Sequence, residues 1–202
     1  VATSSGVTID LVYEFDGNSP GGTTSFGTVM LVQNGGLVDV TITANTANLS
    51  GGDIHEFYFN LPDTINANDL VLSNSGGTSD RPIGTFTLLG PNPSIAGGGG
   101  ASFDTGVSFG NGGGPPGNGI LTAATFSLTV AGGLLVGDLV PELSTPNNTP
   151  PVHLAVHFQD TDIFGADSET VGGMVPEPSS VALLALGLGG LAVRSHRDRT
   201  AG

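Results

Sequence analysis

The sequence predicts an all-β fold, an antiparallel β-sandwich of jelly-roll type, closed by a short apolar helix at the C-terminus. Three observations predict it. Apolar and polar residues alternate in short runs, as on half-buried strands. Glycine is abundant, at 34 of 202 residues, and falls in turn-forming clusters between the runs. No long segment repeats at the helical period, which leaves a layered antiparallel architecture.

In "GVTIDLVYEF", Val7, Ile9, Leu11, Tyr13 and Phe15 occupy one face; Val12 alone breaks the alternation. "DGNSPGG" at 16–22 is a turn. "SFGTVMLVQ" is the second strand, and "NGG" at 34–36 makes a hairpin to "LVDVTITAN". "IHEFYFNLP" places His55, Phe57, Phe59 and Leu61 together and Glu56 opposite. Further strands are expected at 70–73, 85–89, 101–109, 124–130 and 152–158. The Gly/Pro-rich stretches between 90 and 119, and "VPELSTPNNTPP" at 140–151, read as surface loops within one domain. Residues 1–173 are thus expected to form an extracellular β domain.

Charge and composition exclude several function classes. The chain has 18 acidic and 4 basic residues. Up to residue 173 there are 16 acids against Arg81 alone, a formal −15. Such a surface repels phosphate backbones, so no nucleic-acid partner is expected. The absence of cysteine removes disulfides, zinc–thiolate sites and thiol nucleophiles. No G-x-S-x-G or H-E-x-x-H occurs, and no lysine follows the glycine loops to make a phosphate cradle. The absence of Trp, with only two Tyr, speaks against a sugar-processing groove. The chain is expected not to be an enzyme.

Residues 174–202 are different in kind. Val175, Pro176, Glu177, Pro178 and Ser179 form a proline break. The uncharged 13-residue run "VALLALGLGGLAV" follows, then Arg194, Arg197 and Arg199. As a helix the run spans about 20 Å, short of the roughly 30 Å hydrocarbon core. Arginines at its end would stay cytoplasmic and leave residues 1–174 outside. This order resembles the PEP-CTERM sorting signal of Gram-negative bacteria. The resemblance implies export, recognition by a membrane-embedded exosortase with cleavage near Pro-Glu-Pro, and an association with extracellular polysaccharide. It implies transient membrane contact through the C-terminal helix, and a location at the cell surface or in the extracellular matrix. The part ahead of the signal also resembles the β domains that often precede it, in "FGTVMLVQNGG", "FYFNLP" and "HLAVHFQ".

Two side-chain constellations have the residue types of a metal site, and one has the spacing. "QDTDIFGADSE" carries Asp160, Asp162, Asp167 and Glu169, read either as a calcium loop or as a solvated acidic loop. His153 and His157 stand four apart in an alternating strand, where about 13 Å separates them, too far for joint ligation. The reading that follows is an exported structural or adhesive protein. It would act through acidic faces bridged by calcium, or by edge pairing between copies with Val1–Thr8 as donor strand. The rival is a module that binds exopolysaccharide, which needs an exposed aromatic patch.

Overall fold

The computed structural model describes residues 6–15, 22–49, 52–80, 83–95, 100–110, 120–147, 149–163 and 166–176, with the side chains of 160–167 set aside. Ten strands follow in order: β1 (Gly6–Glu14), β2 (Gly27–Asn34), β3 (Leu37–Ala44), β4 (Asp53–Phe59), β5 (Val71–Ser79), β6 (Thr87–Leu89), β7 (Thr105–Ser108), β8 (Leu121–Thr129), β9 (Leu154–Ile163) and β10 (Ala166–Gly173). All belong to one antiparallel sheet in the order β5-β8-β3-β2-β1-β10-β9-β4-β7-β6. The sheet curls until its halves face each other. Phe57 on β4 lies 6.1 Å from Phe126 on β8, although the two strands are not neighbours in the sheet. The result is nearly barrel-shaped; a division into two separate sheets, as in a sandwich, is not seen. Among the described residues the only helical pieces are short 3-10 turns at Ala67–Asp69 and Val136–Leu139. The expected C-terminal helix falls on residues 177–202, outside those described.

The alternation read in the sequence builds the interior. Ile9, Leu11, Val29, Leu31, Val38, Val40, Ile42, Phe57, Phe126, Leu128, Val156 and Phe158 are all at most 2 % exposed and form one cluster. A smaller cluster of Phe15, Tyr58, Phe103, Val152 and Ala155 lies on the opposite face of the same wall. Tyr58 sits between Phe57 and Phe59, and Ala155 between Leu154 and Val156, so their side chains point away from the main core. Phe103 and Val152 come from connecting segments that cover them.

Two irregularities decide which face a residue reaches. The β1–β10 register shifts between Leu11 and Tyr13. Leu11 therefore packs in the main core, while Tyr13 and Phe15 join the smaller cluster. This corrects the single-face expectation for β1, and Val12 is where the pattern breaks. A second shift, between Ile54 and Glu56 on β4, makes His55 the extra residue against β9. Ile54 and Phe57 both stay in the main core across this bulge, so His55 leaves the face of Phe57 that alternation assigned to it.

One end of the barrel is closed by the Val136–Leu139 turn. The Gln33 side-chain amide donates to the carbonyls of Gly35, Leu37 and Leu134 at 2.8, 3.1 and 2.9 Å. Its Oε1 accepts from the Val136 N–H at 3.0 Å. Leu134 and Leu139 are buried beneath.

Candidate functional site

The β4 bulge gathers polar residues in an otherwise apolar wall. Asp53 Oδ2 lies 3.0 Å from His55 Nε2, and Asp53 Oδ1 accepts the Leu121 N–H at 2.7 Å. The His55 and His157 rings are 6.0 Å apart at 78°. Glu56 pairs across to His157, with Oε2 at 3.7 Å from Nδ1, and accepts a hydrogen bond from the Tyr58 hydroxyl. At 3.7 Å the His157 contact is electrostatic rather than a formed hydrogen bond. Among the described residues neither ring nitrogen of His157 has a hydrogen-bond partner. The polar contact with His157 is the main cause holding the Glu56 carboxyl below the usual carboxylate range; burial opposes it and Tyr58 assists. Asp53, His55 and His157 are only 4, 7 and 3 % exposed. A substrate cannot reach them without the wall opening. No three metal-binding side chains converge among the described residues.

The acidic segment is a hairpin, not an open loop. Asp160 and Asp162 fall in β9, Asp167 and Glu169 in β10. Glu169 is fully buried, with its backbone opposite Phe158. The side chains of Asp160, Asp162 and Asp167 lie outside those described. His153 and His157 do stand apart: His157 is in the bulge network, whereas His153 lies just ahead of β9, beside the end of β10.

A shallow cleft of about 270 Å³ crosses the outer face of β2, β3, β8 and β5. Its floor is a hydrogen-bonded row. Asn34 Nδ2 donates to Asp39 at 2.9 Å, Ser127 Oγ donates to Asp39 at 2.6 Å, and Asn74 Nδ2 donates to Ser127 at 3.1 Å. Thr41 and Thr125 face each other beside this row.

The exit of the chain from the barrel is built by three elements. His153 donates its N–H to the Gly173 carbonyl at 2.9 Å, extending the pairing of β9 with β10 by one residue. Its Nδ1 then accepts the Val175 N–H at 3.2 Å. Burial lowers the His153 pKa, which keeps the ring neutral and Nδ1 free to accept. Val175 is half-buried and packs against the main core, and the following proline favours extended backbone there. Asp10, Val12 and Tyr13 from β1, Leu143 from the connection before β9, and Met174 and Pro176 enclose a groove of about 380 Å³ with His153 and Val175. Residues 175–197 match the PEP-CTERM protein-sorting motif. The chain carries a PEP-CTERM sorting motif. The match marks this PEP-CTERM chain as an exported protein, directed to the cell envelope or surface and processed by an exosortase. No curated protein and no solved structure matches the chain.

The PEP-CTERM match contains Val175, Pro176, Glu177, Pro178, Ser179, Arg194 and Arg197, while Arg199 lies two residues beyond it. Glu177 onward lies outside the described residues. Among the described residues no helix is long and apolar enough to cross a membrane. Sequence reasoning missed the part played by His153, because nothing in "PPVHLAV" shows that this strand starts beside the last residues of β10. It also missed the bulge network, whose one sequence signal is three polar residues, Asp53, His55 and Glu56, crowded into four positions.

Proposed function

We propose that the chain is a non-catalytic structural or adhesive protein, displayed at the cell surface or in the extracellular matrix of a Gram-negative bacterium. The observation that carries the reading is the exit geometry. The sorting motif begins two residues after β10, and Val175 packs on the barrel, so the whole barrel is the cargo. Burial of Asp53, His55 and His157 supports a non-catalytic role for this group, because a catalytic side chain has to touch its substrate.

Adhesion through a face is favoured over pairing through strand edges. The edge strands are β5 and β6. β5 shifts register twice, with Asn74 at φ 53°, and β6 has three residues; both devices blunt an edge against pairing. Gly6, Val7 and Thr8 already pair with Val32, Leu31 and Met30 inside the sheet, so a donor strand from this end would first have to leave it. The polar cleft over Asp39, Ser127 and Asn74 is the better contact surface. Bridging by calcium through Asp160, Asp162 and Asp167 belongs to the same proposal, without Glu169, which is fully buried, and millimolar calcium is then expected to raise the melting temperature.

A second reading, binding of extracellular polysaccharide, draws support from the same cleft through its carboxylate, carboxamide and hydroxyl groups. It cannot use the "FYF" stretch for stacking, since Phe57, Tyr58 and Phe59 are all 0 % exposed. A glycan array separates the two readings: retention that Asp39→Asn weakens supports sugar binding, and no retention leaves adhesion between proteins. The display reading is tested by replacing Pro176, Glu177 and Pro178 with alanine. The variant is expected to stay cell-bound and unprocessed, while the native chain is recovered from outside. Equal recovery of both would overturn it.

A further inference from the structure

We propose that the groove at the barrel exit is a docking surface for the sorting exosortase, so that the enzyme reads the folded barrel as well as the motif. The inference rests on exosortase processing and adds a recognition site to it. Val175, the first motif residue, is already part of the folded body, held by His153 Nδ1 and packed on the main core. Pro176 forms one wall of the groove. From Pro176 to Pro178 an extended chain spans only about 7 Å. An enzyme that grips Pro-Glu-Pro therefore covers the groove.

The chemistry of the groove fits such a partner. Among the described residues five large hydrophobic side chains are exposed, and two of them, Leu143 at 48 % and Met174 at 36 %, line this groove beside Val12 and Tyr13. Exposed apolar surface gathered in one concavity marks a contact site. The apolar run starts at Val181, five residues after Pro176, so the groove lies within about 18 Å of chain from it. That is the reach of a membrane-embedded enzyme with an apolar contact surface. His153 fixes the motif's start in an extended form at the groove wall, which lowers the ordering cost of binding.

The experiment is a pulse-chase of processing for the full chain in a host that carries the exosortase. Leu143→Asp is expected to slow processing about fivefold or more, as loss of one central apolar contact does at an interface. Val71→Asp, which adds the same charge at another exposed apolar residue, is expected to process at the native rate. A ten-residue Gly-Ser linker between Gly173 and Met174 moves the motif off the barrel and is also expected to slow processing. Thermal melting of each variant checks that the barrel is intact. Native rates for both Leu143→Asp and the linker variant would overturn the proposal. So would faster processing of the linker variant, because the barrel would then obstruct the enzyme. Equal slowing by Val71→Asp would show a general charge effect and overturn it too. The alanine variant of Pro176, Glu177 and Pro178 is the separate control: if it is processed normally, exosortase handling itself fails.

Discussion

His153 joins the barrel to the sorting motif through one ring nitrogen. Nδ1 can accept the Val175 N–H only while unprotonated. Its pKa is lowered in the folded state by burial, so the folded chain binds fewer protons than the unfolded one. The contribution of this contact is then complete above the ordinary histidine pKa of 6.5 and is lost as pH falls through the depressed value. Hydrogen exchange at the Val175 amide is expected to be slow at pH 7.5 and faster at pH 5, relative to the intrinsic rate. In His153→Ala it should be fast at both, with a stability loss of about 1 kcal/mol. Glu56 has the same sign of shift for a different reason. Its carboxylate is favoured by His157 and Tyr58, so its contribution is present above its ordinary value of 4.5 and disappears as pH falls through the lowered one. Glu56→Gln is expected to flatten the fall in melting temperature between pH 5 and pH 3; an unchanged slope would remove Glu56 from the acid response.

The strands show what could be read and what could not. β1 to β4 were legible because Val, Ile, Leu and Phe alternate with Thr, Asp and Glu over eight or so positions. β10 was not. "ADSETVGG" has a single large apolar residue, Val171, and its acids look like a solvated loop. It is a strand because β1 and β9 pair with it on both sides, a tertiary cause that no local pattern carries. Its glycines serve that pairing. A Cβ on Gly173 would come within 2.5 Å of Ile9 Cγ2 and 2.6 Å of the Asp10 carbonyl oxygen. Gly173→Ala is therefore expected to cost about 1–3 kcal/mol as overpacking, read from chemical denaturation. It would also disturb His153 and Val175 next to it. The bulge at Val12 was visible as a break in alternation, but a break does not tell which face the chain takes afterwards. The bulge at His55 was hidden, because His55 alternates without a break with Phe57, Phe59 and Leu61 in the sequence. The cap over the barrel end was invisible, since Gln33 meets Leu134 and Val136 from about a hundred residues away. Gln33→Ala strands those groups, and a loss of about 1–3 kcal/mol is expected.

At the scale of the molecule, an all-β class followed from composition and alternation, while closure of ten strands into one curled sheet did not. Strand order depends on long-range partners such as β1 with β10, separated by most of the chain. The tail was legible at once because a sorting signal is read in linear order: proline break, apolar run, arginines. What the sequence concealed is that the signal and the domain are not separate objects. The barrel holds the motif's first residue and shapes a groove around its second. The cargo released from the tail is then an acidic, nearly barrel-shaped β body carrying a short stub. The most direct measurement is the intact mass of the protein recovered from outside the cell. The account predicts a species that retains the barrel through Val175 and lacks the apolar run and Arg194 to Arg199. A mass that still includes those arginines would contradict it, and would make the tail a permanent part of the working molecule.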